Sequence, residues 1–335
     1  MLKIGKLKLK SNLILSPMAG ITDLPFRMLC RRFGAELAFT EMINCCSISY
    51  KSQKTKQMLS SLAKDKPLGI QILGCEEHHI LKSMEVLRGY EFNLLDFNAA
   101  CPAKKVVRRG EGAGLLQDPK KFAKILKLIV KNAWLPVSVK IRAGWDSSSV
   151  NAREIALIAQ DCGINALFLH GRTKTQGYSG QVDYNIIREV KKAISIPLIA
   201  SGDIFSGPLA KKMFDETGCD GLVVARGSFG NPWIFKKIKE YLRSGKPAGQ
   251  WFGFPNSQSH KIGNQPKEED IIKVMLEHLN ACIDFYGEKN GTIIFRKFYI
   301  WYVKELRKVR RLSGKFSHRK RPLALHGPGA GEIEK

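Results

Sequence analysis

From its start to about Leu242 the chain alternates short apolar runs, rich in β-branched residues, with longer amphipathic stretches. The short runs are typical of buried strands, and apolar residues at helical spacing are typical of surface helices. The eight strand candidates end near Met18, Glu41, Leu73, Asn98, Arg142, His170, Ser201 and Ala225. This order predicts eight β/α units in succession.

Local capping signals support the helices between these strands. Asp23 precedes one amphipathic stretch, Asp118-Pro119 opens another, and Gly163 closes a third. Short side-chain acceptors favour helix N-termini, and glycine favours the position just after a helix. Eight units predict an α/β fold, the (β/α)₈ TIM barrel, which takes roughly 250 residues. An open, doubly wound sheet is the alternative.

Active sites of such barrels lie on the loops at the carboxyl ends of the strands. Unusual residues fall at those places in this chain. Lys140 and His170 stand inside apolar runs, where core packing does not explain them, because a buried lysine is rare unless it is paired. The strand ends therefore predict where the functional site lies.

We place the barrel at residues 1–242, and the amino-acid composition changes after it. Residues 243–266 are rich in Gly, Pro, Ser and Asn, and they predict a linker or an exposed loop. Periodic apolar residues within 267–321 predict two helices of a small basic domain. Residues 322–335 are predicted to be a disordered tail.

The net charge of the chain indicates a binding partner. The 335 residues carry 55 Lys and Arg against 30 Asp and Glu, which gives a formal charge of +25. Such an excess favours binding to polyanions, and we expect nucleic acid as the partner. Between Arg296 and Arg321, eleven basic residues interleaved with aromatic ones stand against the single acidic Glu305. We interpret this stretch as a surface for nucleic-acid phosphates, with a solvated amphipathic helix as the alternative.

The composition excludes other classes of protein. A content of 44% hydrophobic and 25% charged residues is typical of a packed protein and not of a disordered chain. No apolar run approaches the roughly 18 residues of a membrane helix, and the first such run is too short for a signal peptide. Eight cysteines without a Cys-x-x-Cys pair predict reduced thiols and no metal site. We expect a cytoplasmic monomer that does not bind membranes.

Two loops near the ends of the last two barrel strands predict a phosphate site. Their sequences are ASGDIFSG and VVARGSFGNPW, in which small residues let the backbone approach an anion and Arg226 supplies positive charge. Across the barrel, SPMAG offers a backbone edge to a flat ring, Gln71 an amide and Lys140 a cation. Flavin mononucleotide (FMN) would use all of these groups.

Cys101 stands apart from the other cysteines. It follows the fourth strand, and its loop carries Lys104, Lys105, Arg108 and Arg109. An electropositive loop favours a thiol that serves as a nucleophile or proton donor.

Seven motifs carry a resemblance to a known family. In order they are SPMAGITDLPFR, QILG, DFNAACPAKKV, VSVKIRAGW, LHGRT, ASGDI and VVARGSFGNPWIF. Their order and spacing resemble those of the tRNA-dihydrouridine synthases, most closely the bacterial B-type group. The chain departs from that pattern at Ser201, Ala225 and Ala99-Ala100, where the family usually has Asn, Gly and Met-Gly.

The resemblance implies a flavoenzyme that uses NADPH to reduce FMN and then reduces the C5=C6 bond of a uridine in the tRNA D-loop. It implies that FMN contacts Pro17, Met18, Ala19, Gln71, Lys140, His170, Ser201, Gly202, Asp203, Ala225 and Arg226. Cys101 would give a proton to C5 after hydride from flavin N5 reaches C6, and Asn98 and Arg142 would bind the base. The uridine would have to be flipped out of its stack to reach the barrel.

Two alternatives remain at this point. An FMN barrel that reduces a free pyrimidine would share the flavin loops but would not need a basic domain. A non-catalytic RNA-binding relative would keep the barrel and lose turnover, and the departures at Ala99, Ala100, Ser201 and Ala225 are its only support.

Overall fold

The computed structural model describes residues 1–50, 52–244 and 266–312, with side chains as far as residue 310. Ten strands lie within these ranges. They are β1 (Leu2–Ile4), β2 (Leu7–Leu9), β3 (Leu13–Leu15), β4 (Ala38–Asn44), β5 (Leu68–Leu73), β6 (Leu94–Ala99), β7 (Val137–Arg142), β8 (Ala166–His170), β9 (Leu198–Ser201) and β10 (Gly221–Val224). All eight predicted strands are present as β3 to β10.

Strands β3 to β10 form one parallel sheet, which closes on itself. The order of neighbours is β3-β10-β9-β8-β7-β6-β5-β4. The two ends of this series meet where Leu15 N donates to Leu37 O at 2.9 Å and Glu36 N donates to Leu13 O at 3.0 Å. The closed sheet confirms the TIM barrel and rules out the open doubly wound sheet.

Helices of the β/α units cover the outside of the sheet, and two further helices follow these units in the chain. They are α1 (Leu24–Arg32), α2 (Cys45–Ser49), α3 (Gln53–Met58), α4 (Glu77–Leu87), α5 (Lys104–Val107), α6 (Pro119–Asn132), α7 (Ala152–Asp161), α8 (Tyr184–Ala193), α9 (Gly207–Thr217), α10 (Ile234–Arg243), α11 (Glu268–Tyr286) and α12 (Glu288–Leu312). The expected caps form: the side chain of Asp23 accepts from Phe26 N at 3.0 Å, and that of Asp118 accepts from Lys121 N at 2.9 Å. None of the described helices is long and apolar enough to cross a membrane.

The hairpin β1–β2 closes the amino-terminal end of the barrel. Its strands pair antiparallel, and Leu2, Ile4 and Leu9 are buried against barrel residues that include Phe39 and Phe168. This hairpin was not among the eight predicted strands. The alternation of leucine and lysine is nevertheless a strand signal, because alternate side chains of a strand point to opposite faces.

Helices α11 and α12 form a pair that packs on α1 and on the loop after β10. Phe298 stacks on Phe26 with ring centroids 5.3 Å apart, and Trp301 stacks on Phe229 at 4.0 Å. Gly230 allows this approach, since a Cβ there would lie 2.5 Å from the carbonyl carbon of Trp301. The two helices predicted within residues 267–321 are present as α11 and α12.

The division of the chain into domains stays a prediction. Most of the expected linker and the whole expected tail lie outside the described residues.

Candidate active site

A cavity of about 390 Å³ opens at the carboxyl ends of the barrel strands. All fourteen residues that the sequence analysis selected line it. They are Pro17, Met18, Ala19, Gln71, Asn98, Cys101, Lys140, Arg142, His170, Ser201, Gly202, Asp203, Ala225 and Arg226. The barrel thus brings them around one space.

A chain of side-chain amides fixes the wall that carries Cys101. Asn98 Oδ1 accepts from the backbone N–H groups of Ala100 and Cys101 at 3.0 and 2.9 Å. Asn98 Nδ2 donates to Gln71 Oε1 at 2.8 Å. Because Asn98 is almost fully buried and uses its oxygen twice, it holds the start of the cysteine loop in one position.

Asp96 lies below this chain and was not among the predicted site residues. Its carboxylate accepts from Gln71 Nε2 at 2.6 Å and from Ser138 Oγ at 2.7 Å. Burial raises its pKa from 3.8 to about 6. An acidic residue inside the apolar run LLDFNAA was the signal that could have revealed it.

Lys140 and His170 occupy the wall formed by β7 and β8. Removal from water and, to a smaller extent, the nearby cation of Arg142 lower the pKa of Lys140 to about 8. Burial and the neighbouring Lys140 lower the pKa of His170 to about 2, so its ring is neutral at physiological pH. His170 Nε2 is buried without a hydrogen-bond partner within the described part of the chain. Such an atom is satisfied when a ligand supplies the missing group.

The loops after β9 and β10 form an anion cradle. Gly202 and Asp203 take positive φ values of 127° and 52°, and a Cβ at Gly202 would lie 2.6 Å from Val182 Cγ2. Asp203 pairs with Arg172 at 2.5 Å and with Arg226 at 3.0 Å. Two arginines around one carboxylate leave a net positive charge, which favours phosphate.

Arg142 and Tyr178 complete the mouth of the cavity. The buried Arg142 donates to Ala100 O at 2.8 Å and to the carbonyls of Thr173 and Gly177 at 3.0 and 2.9 Å. The Tyr178 ring is 59% exposed and lies 5.7 Å from the Arg142 guanidinium. Tyr178 was not among the predicted site residues, because a tyrosine in a polar loop gives no sign of the cavity that it lines.

The basic loop after Cys101 differs in detail from the expected electropositive setting. The Cys101 side chain is half-buried, while Lys104, Lys105 and Arg108 are exposed. Arg109 forms a salt bridge with Glu111 at 2.6 Å, so its charge is partly neutralised. Arg109 of the loop still interacts with the thiol, and Lys140 and Arg142 do so from inside the barrel.

Comparison with known proteins decides the family. The model of the dihydrouridine synthase (Dus) family matches residues 14–325. This chain belongs to the dihydrouridine synthase family. It is 41% identical to tRNA-dihydrouridine synthase B of Vibrio parahaemolyticus, over 91% of this chain and 90% of that protein. It is also 38% identical to a probable tRNA-dihydrouridine synthase of Rickettsia bellii, over 97% of this chain and 95% of that protein.

These similarities confirm the resemblance seen in the motifs, including its B-type character. Solved structures confirm the fold of this dihydrouridine synthase. An amine oxidase for 6-hydroxypseudooxynicotine from Pseudomonas geniculata superimposes with a TM-score of 0.58 at 12% identity, covering 72% of this chain and 49% of that chain. Histamine dehydrogenase from Rhizobium sp. 4-9 gives a TM-score of 0.53 at 12% identity, covering 71% of this chain and 47% of the other.

Proposed function

We propose that this dihydrouridine synthase reduces the C5=C6 bond of a uridine in the D-loop of tRNA, with FMN as cofactor and NADPH as reductant. The observation that carries the proposal is that one cavity joins an anion cradle, a thiol and a histidine nitrogen that has no hydrogen-bond partner among the described residues. Family membership supplies the class of reaction, and this cavity supplies groups that suit it.

The residues present fit FMN. The anion cradle of Gly202, Asp203 and Arg226 suits its phosphate, and His170 Nε2 supplies a free polar atom for the ring system. Lys140, with a pKa near 8, is largely a cation at neutral pH and favours negative charge on the ring. When bound and reduced by NADPH, FMN supplies the hydride for the uracil ring. Pro17, Met18 and Ala19 line the same cavity and offer their backbone to the ring.

Cys101 is the proton donor in this proposal. Addition of hydride to C6 of uracil leaves negative charge on C5 and the C4 oxygen, and C5 must then take a proton. The thiol lies on the cavity wall, and Asn98 holds its backbone N–H in place. One N–H of Asn98 and the remaining N–H groups of Arg142 are left to bind the uracil carbonyls and stabilise their charge.

Helix α12 supplies charge for the tRNA backbone. Arg296, Lys304 and Arg307 are exposed along it, whereas Arg310 forms a salt bridge with Glu268. Tyr299 is 51% exposed, so the aromatic residues of this helix do not all pack inward. Exposed cations suit contacts with phosphates, and an exposed tyrosine ring suits stacking with a base. Phosphate contacts would hold the tRNA while the uridine flips into the cavity.

The test is nucleoside mass spectrometry on unmodified tRNA incubated with the protein, FMN and NADPH. The expected product is a uridine heavier by two hydrogens that maps to the D-loop. Parallel reactions with free uracil and uridine separate the alternative substrate class. Turnover of the free pyrimidines with unchanged tRNA would support the free-pyrimidine enzyme. Flavin that is bound and reduced without any product would support the non-catalytic relative.

A further inference from the structure

The loop from Met18 to Asp23 lines the cavity with its first residues and faces the helix pair with its tip. It is folded on itself, because Thr22 Oγ1 accepts from Met18 N at 2.9 Å and Met18 O accepts from Ile21 N at 3.0 Å. Gly20 stands at the tip with a φ of 73°. It directly follows Met18 and Ala19, which line the cavity.

Two elements hold this tip from outside. The backbone N–H of Gly20 donates to the carboxylate of Glu41 on β4, and the Lys297 ammonium on α12 donates to Gly20 O. Lys297 is half-buried, and its ammonium lies 4.9 Å from the centroid of the Phe298 ring. The sequence analysis counted Lys297 among the basic residues of a phosphate surface, yet its ammonium is used within the protein.

A third contact holds the end of the loop. The hydroxyl of Tyr286 on α11 donates to Asp23 Oδ2 at 3.1 Å, while the other oxygen of Asp23 caps α1. Helices α11 and α12 therefore each contribute one hydrogen bond to a segment that lines the cavity. The chain positions involved are far apart, since Gly20 and Lys297 differ by 277 residues.

We propose that Lys297, Tyr286 and Glu41 are positioning residues that order the Met18–Asp23 loop for flavin binding. The helix pair then acts on the cofactor as well as on tRNA. If the Met18–Asp23 loop is ordered before binding, it loses less conformational entropy when the flavin enters. The protein then binds the flavin with higher affinity. This inference rests on the proposed function, because it assumes that the cavity takes FMN.

The experiment compares FMN affinity among full-length variants, measured by flavin fluorescence on apoprotein. Lys297→Met keeps the aliphatic stem and removes the donor, and we expect about a tenfold weaker affinity together with an altered visible circular dichroism spectrum of the bound flavin. Lys297→Arg keeps a hydrogen-bond donor, so it should recover most of the FMN affinity and most of the parent circular dichroism spectrum. Tyr286→Phe removes one neutral hydrogen bond and should weaken binding by about threefold.

Arg32→Met is the matched control. Arg32 binds Glu277 at 2.6 Å and so joins α1 to α11, but it does not touch the loop. We expect flavin affinity within about twofold of the parent, since exposed pairs contribute little. An unchanged affinity and spectrum in Lys297→Met, or equal losses in Arg32→Met, overturns the inference. If Lys297→Met fails to fold, Tyr286→Phe takes its place, and its FMN affinity and flavin spectrum are compared with those of Arg32→Met. A parent protein that binds no FMN refutes the proposed function instead.

Discussion

Replacing Asp96 by asparagine tests how the buried acid below the cavity is held. The Asp96 side chain is about 1% exposed and accepts hydrogen bonds from Gln71 and Ser138. Asparagine has nearly the same shape, and its oxygen can still accept from Gln71. Its amide can donate to Ser138, because a hydroxyl serves as donor or acceptor. We therefore expect Asp96→Asn to keep the Gln71–Asn98 chain.

The magnitude follows from the pKa of Asp96. Burial raises this pKa from 3.8 to about 6, and each pH unit of difference corresponds to about 1.4 kcal/mol. Between these values the folded protein keeps a proton that the unfolded chain has lost, so ionisation of Asp96 costs the folded state about 3 kcal/mol above pH 6. Asparagine does not ionise. The variant should gain up to about 3 kcal/mol of unfolding free energy at pH 7.5, and the gain should disappear as the pH falls from 6 to 3.8.

The assay is urea unfolding at pH 7.5 and at pH 4, followed by circular dichroism. Asp96→Leu is the matched control, because it removes the charge but leaves the buried N–H of Gln71 without its acceptor. That loss should cost about 1 to 3 kcal/mol relative to Asp96→Asn at both pH values. A loss of stability in Asp96→Asn at pH 7.5, or a gain of equal size at both pH values, would refute the reasoning.

Other predictions concern chemistry, RNA binding and acid stability. Cys101→Ala should slow uridine reduction about 10²- to 10⁴-fold with FMN binding unchanged, whereas Cys46→Ala should not; equal rates for the two variants would exclude the proton-donor role. Replacing Lys304 and Arg307 by glutamine should weaken tRNA binding and reduce the slope of log affinity against log salt by about two; an unchanged slope would place the phosphates elsewhere. Burial lowers the pKa of His278 to about 3, so the protein should lose about 1.4 kcal/mol of stability per pH unit from this group as the pH falls below 6.5. His278→Gln should remove that component in urea titrations between pH 7 and 5, and parallel pH profiles for the two proteins would contradict it.

Much of the fold was predictable because its signals are local. The eight barrel strands and the caps at Asp23 and Asp118 depend on residues only a few positions apart, which periodicity and capping rules capture. The rule that barrel sites lie at the carboxyl ends of strands then placed Lys140, His170 and Cys101 around one cavity without any measured distance. The hairpin at the start was not predicted, because its two strands have only three residues each and give a short periodic signal.

The sequence by itself determined the barrel, the family and the residues around the cavity, because short motifs and their order along the chain are enough to recognise each of them. Only the tertiary structure decided which of these side chains act on one another. Gln71, Asp96 and Asn98 form one hydrogen-bonded chain because β5 and β6 are neighbours in the closed sheet. Lys297 reaches Gly20 because α12 packs against the barrel mouth. Such contacts join residues far apart in the chain, so they depend on packing of the whole molecule and leave no local pattern to detect.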